Sequence, residues 1–169
     1  MRGGPAVKVR LAVLLLALGC LLGAPCHGGE QKTWVALMAD AETVGTFSPL
    51  VVHILVSSPT PIQAFELGLR WDPSMIYAMN VAPHPEFDDD GVLFTNPLWD
   101  LVAGRLDRIV DLRHGGEGAQ GTFRVATVQF LALGSPGSTS IQPTSRGLAD
   151  GNGNEAPVSF APLTLTIEP

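Results

Sequence analysis

Two clusters of oxygen-bearing side chains are the first candidates for chemistry. Asp88, Asp89 and Asp90 stand together before Gly91, a concentration of hard ligands suited to calcium. Three consecutive acids do not supply a loop of alternating ligands, and a solvated acidic turn fits the same residues. Asp150, Asn152 and Asn154 do alternate, as at the first, third and fifth places of an EF-hand loop. Glu155 then stands where a glycine makes the bend, and Ala161 where a bidentate glutamate is required, so the segment reads as a polar hairpin with calcium as the alternative. No cofactor other than calcium is expected.

Aromatic rings are the second kind of candidate. Pyranose faces stack on exposed rings whose neighbours hydrogen-bond the hydroxyls. Phe94 and Trp99, with Tyr77, are the residues placed to do this; Leu98 and Leu101 beside Trp99 fit burial of that ring equally well. Catalytic constellations are missing. His27, His53, His84 and His114 show no close metal-ligand spacing, and there is no GxSxG elbow or phosphate-cradling glycine loop. Glu66 and Asp111 are a conceivable hydrolytic pair only if the fold sets their separation. A non-catalytic domain is expected.

The N-terminal segment has the pattern of a signal peptide. Arg2, Lys8 and Arg10 make a basic start, Leu11 to Leu22 an apolar stretch, and Gly23 and Ala24 a small-residue end, so residues 1–26 are expected to hold the leader and its boundary. The run ending in Cys20 also resembles a bacterial lipobox, which would lipidate that cysteine and leave it as the only membrane contact. Cys20 and Cys26 are the only cysteines, so a mature domain over 30–169 relies on an apolar core rather than disulfides. Three of the ten basic residues and none of the sixteen acids lie in the leader, so its removal takes the formal charge from −6 to 7 − 16 = −9. An acidic chain of this kind disfavours nucleic acid and anionic membranes as partners. A secreted or cell-surface location is expected.

The elements that would position these groups are strands. In Gln63–Asp72, Phe65, Leu67, Leu69 and Trp71 alternate with Ala64, Glu66, Gly68 and Arg70, then Asp72-Pro73 breaks the run. Similar segments are expected at Thr33–Met38, Leu50–Val56, Ile62–Trp71, Met75–Val81, Arg105–Leu112, Thr122–Leu133, Ser138–Gln142 and Leu163–Ile167. Ala41 to Ser48 reads as a polar connection, Ser57 to Pro61 as a turn, and Ser145 to Pro157 as a loop. Without a convincing amphipathic helix, these strands predict an all-β sandwich, with a closed barrel as the alternative. Trp71 and Phe130, each ending an alternating apolar set, are expected in its core.

Three segments resemble the cohesin domain family. VVHILVSSPTPIQAFELGLRWDP, Val51 to Pro73, is similar to the family's opening strands and their aromatic-Asp-Pro corner; GTFRVATVQFLAL, Gly121 to Leu133, resembles a later strand; LADGNGNEAPVSFAPLTLTI, Leu148 to Ile167, resembles the closing hairpin and last strand. The resemblance implies a nine-strand jelly-roll-like β-sandwich, immunoglobulin-like in general architecture and shared with carbohydrate-binding modules. It implies a non-catalytic module that docks a dockerin-like or other extracellular protein through one sheet face. A module binding a polysaccharide is the alternative. Outward candidates for protein contact on the strands resembling cohesin surface strands are Gln63, Glu66, Arg70, Arg124, Thr127 and Gln129, which do not all share one strand parity.

Overall fold

Alternation of apolar and polar residues produces strands with one dry face, and two such faces bury each other. The computed structural model describes residues 32–87, 97–113 and 116–169 and contains eleven strands among them. These are β1 (Thr33–Ala39), β2 (Thr43–Gly45), β3 (Pro49–Ile62), β4 (Ala64–Arg70), β5 (Ile76–Pro83), β6 (Leu98–Asp100), β7 (Arg105–Leu112), β8 (Ala119–Ala132), β9 (Gly137–Ala149), β10 (Val158–Ala161) and β11 (Leu163–Glu168). One sheet has five strands in the order β10-β1-β3-β8-β5, the other six in the order β2-β11-β9-β4-β7-β6. Pairing is antiparallel except for β1 with β10 and β11 with β2. The fold is thus the expected all-β sandwich. Nine of its strands have four residues or more; of the two three-residue strands, β2 falls in the expected polar connection and β6 between Val81 and Arg105, where no strand is expected.

The core lies between the sheets. Val52, Ile54, Val56, Val128 and Phe130 project from the five-stranded sheet, and Phe65, Leu67, Leu69, Leu106, Ile109, Ile141 and Leu165 meet them from the other. Aromatic contacts tie the two layers together. Trp71 and Phe130 are buried as expected and meet edge to face at 5.4 Å. Phe87 lies between the layers, with Phe65 at 5.0 Å on one side and Phe123 at 5.9 Å on the other. Such pairs add about 0.5–1.5 kcal/mol each beyond the area they bury.

Two elements run further than the sequence predicts. β3 continues past Ser57 through Pro59 and Pro61, because the prolines occupy a register break between Ser58↔Gly121 and Ile62↔Ala119, where the ladder requires no donor from them. β9 reaches Ala149, so the expected loop from Ser145 shrinks to a hairpin closed by Asp150. Proline at position 143 is accommodated there, opposite Leu69.

A bulge in β7 faces the middle of β4. Leu67 pairs with Ile109 and Leu69 with Leu106, so Asp107 and Arg108 together face the single residue Gly68. Arg108 takes a left-handed φ of 60° to permit this. After β4, Asp72 Oδ1 accepts the Ser74 amide and hydroxyl at 2.9 and 2.6 Å, which shapes the Asp-Pro corner. Those two bonds hold the Asp72 carboxyl below the usual carboxylate range.

Candidate docking faces

Strand parity decides which side chains leave the sandwich, and it divides the six protein-contact candidates. Glu66 and Arg70 point out of the six-stranded sheet, between buried Phe65, Leu67 and Leu69. Arg124, Thr127 and Gln129 point out of the five-stranded sheet, on the opposite side of the molecule. They therefore cannot form one interface. Gln63 belongs to neither face: it ends the sandwich, its side-chain amide donating to the Gly116 carbonyl at 2.8 Å.

The outer surface of the five-stranded sheet is internally committed at its polar positions. His53 contacts Thr127 Oγ1 through Nδ1 at 3.2 Å and Asp40 Oδ1 through Nε2 at 3.0 Å. Its ring lies edge-on to His84 at 6.4 Å. Arg124 forms an ion pair with Glu86 through its guanidinium and also donates its backbone N–H to Glu86 Oε2 at 2.8 Å. The Arg124 hydrogen bonds pull the Glu86 carboxyl down to about 2. Burial, followed by the nearby Arg124 charge, pushes the His84 imidazole below its ordinary value. Trp34 and Met38 on β1 and Tyr77 and Met79 on β5 are large apolar side chains exposed on the same sheet.

The Glu86–Arg124 pair gives a testable pH dependence. A carboxyl depressed in the folded state adds stability above its unfolded pKa and loses it as the carboxylate is protonated. The contribution is therefore present above about pH 4.5 and is lost between there and about pH 2. Thermal unfolding of Glu86→Gln against the native chain is expected to show a deficit at pH 6 that shrinks toward zero near pH 2. A deficit constant over that range would mean that Glu86 is not linked to folding through its charge. Exposure of both side chains, 37% for Arg124 and 41% for Glu86, keeps the effect small.

The outer surface of the six-stranded sheet is different in kind. Small and hydroxyl-bearing residues, Ser138, Ser140, Thr144 and Gly147 on β9 and Thr164 and Thr166 on β11, make it flat. Gly68 lies at its centre, where an added Cβ would meet Thr144 Oγ1 at 2.6 Å and the Leu106 carbonyl at 3.0 Å. Charges are arranged around this floor: Arg105 Nε pairs with Asp107 at 2.8 Å, and Arg108 approaches Glu66 at 3.9 Å. A depression of about 250 Å³ lined by Ala64, Val110, Gly147 and Ala149 together with Glu66 and Glu155 opens at one end of β4. A groove of about 410 Å³ opens at the other end, beside Arg70 and Gln142.

The sugar and metal candidates are not brought together. Tyr77 is exposed on β5 of the five-stranded sheet, while Trp99 lies on β6 at an edge of the other. Trp99 is 38% exposed rather than tucked inward, because its cross-strand partner Leu106 faces the core but β6 is an outermost strand that nothing covers on its far side among the described residues. Phe94, Asp88, Asp89 and Asp90 lie outside the described residues, as do Cys20, Cys26 and the leader. Asp150 accepts the Asn152 and Asn154 amides at 2.8 and 2.9 Å and the Asn154 side-chain amide at 2.9 Å. These donors, led by Asn154, lower its pKa and close the hairpin on itself. The expected polar hairpin is what this segment builds. Among the described residues no group of three His, Cys, Asp or Glu side chains is placed to hold a metal.

Glu66 and Asp111 lie on adjacent strands, yet Asp111 is completely buried on the inner side while Glu66 points outward. They do not present a shared cleft to a substrate. Trp34, Val110, Arg105 and Gln142 were not singled out by the sequence. Parity in TWVALMA, where Val35 and Leu37 are inward, is the signal that places Trp34 outside.

Solved structures with the same arrangement of strands are cohesins. A type I cohesin–dockerin complex from Clostridium thermocellum matches with a TM-score of 0.65 at 11% identity, over 79% of this chain and 99% of that one. The fold is that of the cohesin domains. A non-cellulosomal cohesin from the archaeon Archaeoglobus fulgidus matches with a TM-score of 0.60 at 17% identity, over 82% of this chain and 92% of that one. A type II cohesin from the cellulosome of Acetivibrio cellulolyticus matches with a TM-score of 0.59 at 16% identity, over 79% and 95%. No protein-family model and no curated protein matches the sequence. The cohesin fold is therefore retained here on a sequence with little residue identity to those structures.

Proposed function

We propose that this chain is a non-catalytic, exported receptor module that docks a dockerin-like or other extracellular protein on the outer face of the six-stranded sheet. The observation that carries this reading is the flat floor around Gly68, bordered at one end by a depression in which Ala64, Val110 and Ala149 adjoin Glu66 and Glu155, and at the other by an exposed arginine. A broad surface with an apolar patch and a polar rim has the make-up of a standard protein interface. The opposite face has its central polar groups tied to one another. Export rests on the leader at residues 1–26, and the cohesin fold supports a docking role.

The test uses a panel of dockerin modules, with binding measured by biolayer interferometry in calcium and in chelator. Val110→Arg, which fills the depression with a long side chain and removes its apolar centre, is expected to weaken binding at least about tenfold. Met38→Arg on the opposite face is expected to leave it unchanged. The reverse pattern would move the interface to the five-stranded sheet, and no binding to any protein would sink the docking reading.

Polysaccharide binding is the second reading, favoured by Trp34. That ring is 38% exposed and lines a groove of about 620 Å³ together with Lys32, Ser57 and Gln120, which offer hydrogen bonds to hydroxyls. Affinity electrophoresis in soluble polysaccharides would show retardation that Trp34→Ala removes. Equal mobility of both proteins in every gel would exclude it.

A further inference from the structure

We propose that the groove at the Arg70 end of the docking face receives an acidic side chain, Asp or Glu, of the docked protein. This rests on the docking reading above and adds the chemistry of its anchor. The first observation is electrostatic. Arg70 lies directly across the strand pair from Arg105, and like charges in that relation repel. Arg105 is compensated, with Asp107 at 2.8 Å and Asp100 at 3.9 Å. The Arg70 side chain is exposed and has no hydrogen bond or ion pair among the described residues. An uncompensated guanidinium beside a second one, in a chain with formal charge −6, leaves a local anion site that folding itself does not use.

The second observation is independent of charge. Trp71 and Thr139 line the same groove, at 6% and 7% exposure, and Trp71 Nε1 and Thr139 Oγ1 are buried without a hydrogen-bond partner among the described residues. Groups of this kind are usually paired. Gln142, the cross-strand neighbour of Arg70 on its other side, and Ser140 complete the lining with further donors. Asp72 is the one acid there, and its carboxylate is engaged by Ser74. On the outward side the Arg70 guanidinium, the Gln142 amide and the Ser140 hydroxyl are the donors at this groove, and an ionised carboxylate is the protein side chain that offers acceptors alone. Arginine can grip it through two parallel N–H···O bonds.

The test is selection of a displayed dodecapeptide library on the exported chain, followed by amide and indole NMR mapping with the selected peptides. Selected peptides are expected to share one Asp or Glu and to shift the Trp71 indole N–H and the Arg70 and Gln142 resonances. Changing that acid to its amide, or Arg70→Gln, is expected to weaken binding about thirtyfold, and Arg70→Lys by less. Near-ultraviolet circular dichroism identical to the native chain shows that Arg70→Gln is folded. Peptides that shift Glu66 and Val110 without acidic preference, and that bind Arg70→Gln equally well, overturn the anchor and leave the docking face standing. Peptides that leave the whole outer face of the six-stranded sheet unshifted, or a selection that enriches nothing, overturn both.

Discussion

Phe130→Ala is expected to remove about 3–5 kcal/mol of folding stability, the range for truncating a fully buried phenylalanine. Phe130 is 0% exposed and projects from β8, between β3 and β5 in the five-stranded sheet, onto Trp71 at 5.4 Å just beyond the end of β4. Removing the ring leaves a cavity bordered by both layers, which neither sheet can collapse into without disturbing its own ladder. It also takes away the edge-to-face partner of the indole. Urea unfolding monitored by tryptophan fluorescence would report the loss as a lower midpoint with an unchanged slope. Gln129→Ala, one residue away and outward, is expected to change stability by no more than about 0.5 kcal/mol. A Phe130→Ala loss below about 1 kcal/mol would mean that the two sheets are not joined through this contact.

Gly104→Ala is expected to cost about 3 kcal/mol or more, an effect comparable with loss of a core side chain. Gly104 has a φ of +62°, and a Cβ there would lie 2.2 Å from the Trp71 carbonyl oxygen and 2.8 Å from Pro73 Cδ. Backbone cannot swing aside as a side-chain end can, because the Gly104 carbonyl also accepts the Trp71 amide at 2.9 Å. Accommodation would have to displace the Asp-Pro corner, and the Arg70 groove with it. Gly116 provides the control. Its φ is +78°, and no atom lies within 4 Å of the added Cβ, so Gly116→Ala is expected to show only the left-handed backbone term of about 1–2 kcal/mol. Equal losses at the two positions would refute the steric argument.

Strands with strict alternation were legible as written. Arg105–Leu112 has the bounds predicted for it, and Leu163–Glu168 differs by one residue. Their period of two is a local property that the fold had no reason to override. The prolines at positions 59 and 61 misled, because whether a missing donor breaks a strand depends on whether a neighbour needs it. That in turn depends on the register of β8, more than fifty residues away in sequence. The same non-local dependence hid β2 and β6. Three-residue strands exist only because β11 and β7 offer them an edge.

The contact candidates show the limit most clearly. Glu66 and Arg70 are outward candidates that share parity within one strand, as Thr127 and Gln129 do within another, and the fold puts both pairs on outer faces. Nothing local says that the two strands enter different sheets and look in opposite directions. Arg124 illustrates a second limit, since its partner Glu86 is brought to it by the chain beyond β5.

The sequence by itself determined the all-β class, the core parity of its longest strands and the inward Trp71 and Phe130, because each follows from the alternation of neighbours along the chain; the resemblance to cohesins is carried by three segments and their order. Only the tertiary structure decided which strands share a sheet, and hence that one outer face is knitted shut around His53 and Arg124. It also decided that the other face is a flat floor ending at an uncompensated Arg70. Those properties arise from cross-strand pairing between distant segments, where the identity of a partner, and not the residue's own type, determines whether a charge is satisfied.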